Sequence, residues 1–152
     1  MNMKEEHRKI LDDKVQDIIL RTMHLRSVMD ICKEVFRRNA ITWRIERGEA
    51  EYSAMVEKCT YGLYQYTNEE GDVIITRSVL KLKEQEKNLA HELGHYFTRR
   101  LQIYEGYDTE EQQKLEEEKA DYFMQELLEW FEIRGLLKKR KEREEKVLKK
   151  VV

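Results

Sequence analysis

The chain predicts an α+β domain, mainly helical, with a small three-stranded, mostly antiparallel sheet ahead of one central helix. Three observations predict it. Apolar residues recur at helical spacing through most of the 152 residues. The period changes to alternation only between about residues 40 and 77. Proline is absent and glycine occurs six times, which favours long uninterrupted helices.

From Lys4 to Arg38 an apolar stripe runs through Leu11, Val15, Ile18, Leu25, Met29, Cys32, Val35 and Phe36. It reads as one long helix or two in succession, with a break near Thr22 to Arg26. His7 and His24 lie here with no acidic or thiol partner at a ligand spacing, and are expected at the surface or half-buried. Ile41, Trp43 and Ile45 then alternate with Thr42, Arg44 and Glu46, the pattern of a half-buried strand. Arg47-Gly48-Glu49 reads as a turn, and Glu51 to Glu57 as a short helix or irregular segment. Tyr61 to Tyr66 is rich in aromatic strand formers, Asn68 to Asp72 is turn chemistry, and Val73 to Thr76 is the third strand.

The central helix spans about Leu82 to Leu101. Asp108 or Thr109 caps the next one, with Glu111 and Gln112 at the capping-box positions. That helix is expected to continue through Leu128, to about Arg134, and to stop ahead of Gly135. From Lys138 to Lys150 there are eight basic and three acidic residues. Such a tail could touch nucleic acid or an acidic partner, but with no aromatic residues interleaved a solvated helix end or frayed segment is the favoured reading. The chain is thus one domain over 1–137 (N-terminal helices within 1–38, sheet 40–77, active-site helices 82–134), followed by a basic tail at 138–152.

Charged residues make up 39% and the net charge is −2, so no global field points at nucleic acid or membrane. Cys32 and Cys59 form no CxxC pair and read as reduced small apolar residues. The start MNMKEEHRKILDDK is charged throughout, and no apolar run approaches the ~18 residues of a membrane span. A cytoplasmic protein is expected.

The chemistry concentrates in His91-Glu92-Leu93-Gly94-His95, an HExxH signature. Composition alone would generate HExxH in roughly one or two shuffled chains per hundred, so its surroundings must support it. On a helix turning about 100° per residue, His91 and His95 share one face with Glu92 beside them, and Leu89, Leu93, Tyr96 and Phe97 gather opposite. Both imidazoles can ligate one metal ion, and Glu92 can take a proton from a water at that ion. A catalytic zinc site takes a third protein ligand. The metzincin arrangement is excluded, because the required His and Gly positions are Leu101 and Thr98. The remaining candidates are Glu116, Glu117 and Glu118 on the following helix. Its apolar arc is Ala120, Phe123, Met124, Leu127, Leu128 and Phe131. Glu117 and Asp121 lie together at the margin of that arc, Glu118 points away, and periodicity does not separate Glu116 from Glu117.

With LAHELGHY (Leu89 to Tyr96) and ExxADxF (Glu117 to Phe123) followed by Leu127-Leu128, the chain resembles the zincins with a Glu third ligand, and more closely the ImmA/IrrE-type metallopeptidases. The strand pattern around Gly62-Leu63-Tyr64 and Val73-Ile74-Ile75 is also similar, so the likeness covers roughly residues 28 to 128. Glu129-Trp130 stands where many relatives carry Met-Pro. The resemblance implies a zincin-like fold, one zinc ion held by His91, His95 and Glu117, Glu92 as general base, and Asp121 orienting His91. It further implies cleavage of a cognate helix-turn-helix repressor of a prophage, mobile element or stress regulon, without direct nucleic-acid binding or membrane association. The competing readings are a non-catalytic zinc-binding regulatory module of the same fold and a SprT-like protease acting on DNA-bound proteins. An oxyanion donor is expected among Tyr61, Tyr64, Tyr104 and Tyr107. The strand from about Asp72 to Arg77 is expected to be the edge an extended substrate joins.

Overall fold

The computed structural model describes residues 3–45, 62–77 and 81–151. The expected turn at 47–49, the short helix at 51–57, Cys59 and Tyr61 lie outside the described residues. The N-terminal stretch forms two helices, α1 (Glu5–Arg21) and α2 (Val28–Arg38). They break where the stripe is interrupted. The Thr22 hydroxyl donates back to the Ile18 carbonyl at 2.7 Å, and Ser27 Oγ accepts from the Asp30 amide at 3.0 Å to start α2. His24 is exposed as expected, whereas His7 is buried, because it falls on the α1 face that carries Leu11 and Val15 inward.

The sheet comprises β1 (Thr42–Ile45), β2 (Gly62–Thr67) and β3 (Gly71–Thr76) in the order β1-β3-β2. β2 and β3 form an antiparallel hairpin of six residue pairs, and β1 joins β3 in parallel through four. The antiparallel pairing predominates, but the sheet is mixed. β3 is therefore the central strand, not the free edge expected of it. Both of its backbone edges are taken, and Val73, Ile74, Ile75 and Thr76 are buried. The physical reason is visible in its composition: a strand covered on both faces reads as a continuous apolar run instead of an alternating one. Ile74 enters the main core, while Val73 and Ile75 pack with Leu63 on the other face.

Two long helices complete the fold, α3 (Leu82–Arg100) and α4 (Glu110–Val151). A reciprocal capping box starts α4: Thr109 Oγ1 accepts from the Gln112 amide at 3.1 Å and Gln112 Oε1 accepts from the Thr109 amide at 3.1 Å. Its end departs from expectation. The helix runs through Gly135 to Val151, 42 residues in all, or about 63 Å. A single interior glycine costs only about 1 kcal/mol against alanine, and the Leu, Lys, Arg and Glu residues around it are good helix formers. Leu11, Val15, Ile18, Ile31, Phe36, Leu89, Leu93, Phe97, Phe123 and Leu127 build one core among the four described helices. Polar ties pin its periphery. Arg134 donates to the carbonyls of Ile19, Thr22 and Leu25, satisfying the end of α1, and the Tyr122 hydroxyl reaches Asp12 at 2.6 Å.

α3 and α4 approach closely, backbone to backbone, at Gly94. A Cβ there would lie 2.7 Å from the Ala120 Cα and 2.8 Å from its carbonyl oxygen. Only glycine facing a small residue permits the two backbones to come this close. Backbone atoms cannot yield as a flexible side chain can, so Gly94→Ala must push the helices apart. We expect it to lower stability by roughly 1–3 kcal/mol, measured by urea denaturation.

Candidate metal centre

The close approach at Gly94 sets the face of α3 bearing His91 and His95 against the face of α4 bearing Glu117 and Asp121. His91 Nε2 lies 3.0 Å from Glu117 Oε2, and His95 Nε2 lies 3.2 Å from Glu117 Oε1. One carboxylate thus spans both imidazoles, an oxygen to each. The other nitrogen of His91, Nδ1, is 2.8 Å from Asp121 Oδ1. The two rings stand nearly perpendicular, with centroids 4.9 Å apart.

This donor set fits a divalent cation. Two ring nitrogens and a carboxylate converge from two rigid helices, and a further carboxylate holds the remaining nitrogen of one ring. Burial by itself disfavours a charge on His91. The hydrogen bond to Glu117 and the carboxylates of Glu92, Glu117 and Asp121 outweigh that and raise its pKa to about 9. Burial would raise Glu117, but the hydrogen bonds from His91 and His95 hold its carboxyl well below the usual range. The surroundings therefore favour positive charge at this point.

Glu92 stands apart from these half-exposed groups. It is 5% exposed, tucked behind His91 and His95 against the start of β2. A Cβ on Gly62 would sit 3.2 Å from the Glu92 Cγ, so the glycine makes room for this side chain. Burial pushes the Glu92 carboxyl up, with the two histidines pulling the other way. Ligating atoms of His91, Glu92 and His95 also lie within 4.8 Å of one another, so distance alone would admit Glu92 as a ligand. The burial of Glu92 and the direct contact of Glu117 with both Nε2 atoms favour Glu117.

Glu116, which periodicity could not separate from Glu117, is buried at 1% exposure and paired with Lys119 Nζ at 2.7 Å. Lys119 is itself fully buried and also donates to the Ile103 carbonyl and Glu105 Oε2, so all three of its protons are used. No sequence signal marked this buried lysine, which falls outside the apolar arc. The tyrosines separate as well. Tyr64 donates to Asp72 at 2.7 Å, and Tyr104 lies under the Arg99 guanidinium at 4.1 Å. The Tyr107 hydroxyl alone among the three described candidates reaches the centre, donating to Glu117 Oε1 at 3.0 Å. Burial, followed by the Glu117 charge, pushes Tyr107 up to about 12, so it keeps its proton. Tyr107 lies in the loop between α3 and α4, where no periodicity could single it out.

No helix among the described residues is long and apolar enough to cross a membrane. No curated protein and no solved structure matches the chain. Residues 55–128 match the family model of Peptidase M78, described as an IrrE N-terminal-like domain. That span contains β2, β3, the HExxH helix and Glu117 with Asp121, the elements that build the centre. Over residues 55–128, just under half of the chain, the protein is similar to the ImmA/IrrE-type metallopeptidase family.

Proposed function

We propose that this chain is a zinc-dependent endopeptidase that cuts a cognate helix-turn-helix repressor at one site and so relieves repression of a prophage, mobile element or stress regulon. One observation carries the chemistry: His91, His95 and Glu117 converge beside the buried carboxylate of Glu92. The family-model match over residues 55–128 supports peptide hydrolysis as the reaction. The repressor as substrate rests on the resemblance carried by LAHELGHY and ExxADxF.

His91, His95 and Glu117 would hold the ion, with Asp121 accepting from Nδ1 of His91 and so orienting its ring. When bound, zinc supplies a Lewis acid that acidifies a water and polarises the scissile carbonyl. Glu92 accepts the proton of the attacking water and delivers it to the leaving amine. Its burial makes it a stronger base than an exposed glutamate, which suits proton transfer near neutral pH. Tyr107 keeps its proton and, released from Glu117, donates to the oxyanion of the tetrahedral intermediate. An extended peptide laid along β2 passes Gly62 and so presents its carbonyl near Glu92.

Zinc titration followed by competition with a chelator tests the ligand set. One zinc per chain is expected. His95→Ala and Glu117→Ala should lose at least about 100-fold in affinity, and Asp121→Asn about 10- to 100-fold. Equal affinities in all four proteins would remove these residues from the centre.

Intact mass of a helix-turn-helix repressor encoded in the neighbouring reading frame, measured after co-expression, tests the reaction. Wild type should yield one cut. Glu92→Gln should retain zinc and cut roughly 10²–10⁴-fold more slowly. Tyr107→Phe should retain zinc and lose about 10²-fold in kcat with little change in KM. Full biological effect from Glu92→Gln would instead mean a binding module that works without hydrolysis.

A further inference from the structure

Every residue from Gly135 to Val151 is exposed, so the last stretch of α4 stands clear of the rest of the described fold. It is nevertheless amphipathic. On a helical wheel, Ile133, Leu136, Leu137, Arg140, Glu144, Val147, Leu148 and Val151 fall within an arc of roughly 120°. Leu136, Leu137, Val147, Leu148 and Val151 are each at least 60% exposed. An apolar stripe of this length has no partner among the described residues.

The stripe is symmetric about Glu142. Arg140 and Glu144 lie two residues to either side, Leu137 and Val147 five, Leu136 and Leu148 six, Ile133 and Val151 nine. We infer that this face pairs with a second copy of the chain, the two α4 helices lying antiparallel and centred on Glu142. In that register every apolar residue of the stripe meets an apolar residue. Arg140 of each copy meets Glu144 of the other, adding a reciprocal pair to the Arg140–Glu144 contact within one helix, 3.4 Å.

Other occupants fit less well. A parallel pair would set Arg140 against Arg140 and Glu144 against Glu144. A lipid surface would bury Glu144 next to anionic headgroups. An unrelated acidic helix gives no reason for symmetry about one point. The excess of positive charge does not forbid self-pairing, because Lys138, Lys139, Lys146 and Lys149 project away from the stripe and stay solvated. Arg143 and Lys150 on one flank do repel their counterparts. The interface is small beside the ~800 Å² per partner of a standard complex, so a dissociation constant of roughly 10⁻⁶–10⁻⁵ M is expected.

Sedimentation equilibrium of the full chain between about 1 and about 200 μM should show a reversible monomer–dimer transition. Arg140→Glu and Glu144→Arg should each move the midpoint at least about tenfold higher, and an equimolar mixture of the two should restore it. In a Cys59→Ser background, oxidation should cross-link a mixture of Leu137→Cys and Val147→Cys chains but neither variant with itself. A wild type that stays monomeric throughout overturns the inference. Cross-linking of Leu137→Cys with itself, the mark of a parallel pair, does so too. Co-sedimentation of a monomer with phosphatidylglycerol vesicles, or its binding to polyglutamate, would assign the face to a lipid surface or an acidic partner and equally overturn it.

Discussion

Where Gly94 on α3 meets Ala120 on α4, the helices approach so closely that a methyl group would lie 2.7 Å from the Ala120 Cα. The geometry of the candidate metal centre depends on that approach. His91 and His95 are one turn apart on α3, and Glu117 and Asp121 are one turn apart on α4. Bringing the axes together brings both pairs together, with 2.8–3.2 Å between the facing atoms. A site carried on two packed helices is held to finer tolerance than one carried on loops, because each side chain inherits the rigidity of its backbone. The Gly inside the HExxH stretch and the Ala inside the ExxAD stretch therefore belong to the site as much as the ligating atoms do.

The same interface sorts neighbouring carboxylates into different duties. Glu116 and Glu117 are adjacent in sequence, but about 100° of helical rotation separates their directions. Glu116 turns into the core and is neutralised by Lys119, while Glu117 turns to the two histidines. Glu116 and Glu117 each have opposite charge facing them, which offsets the cost of burying a carboxylate. Removing Lys119 would leave Glu116 buried without compensation, a change that typically costs about 3–5 kcal/mol. Glu92 is buried more deeply than the two histidines compensate for, and its raised pKa is the consequence.

Much of this is legible in the sequence, for local reasons. The break after Arg21, the capping box at Thr109 and Gln112, and the apolar backs of α1, α3 and α4 follow from spacing within a few residues. So does the shared face of His91 and His95. Other features are not legible. The sequence suggests an edge position for β3 because a strand's own residues do not say how many neighbours it has. Gly135 reads as a stop because glycine ends many helices, yet only φ > 0 or competing contacts make it do so, and neither occurs here. His7 reads as a surface residue, and its burial depends on what packs over α1.

The division between the two sources of information has one physical origin. The sequence by itself determined which residues share a face, since helical and strand periods are properties of the local backbone: His91 with His95, and Glu117 with Asp121. Only the tertiary structure decided which faces meet. It turned Glu117 and not Glu116 toward the two histidines, put β3 in the middle of the sheet, brought the hydroxyl of Tyr107 and not that of Tyr64 or Tyr104 to Glu117, and left the end of α4 exposed among the described residues. Those choices rest on how closely distant segments can approach. That distance is set by contacts such as Gly94 against Ala120, between residues far apart in the chain.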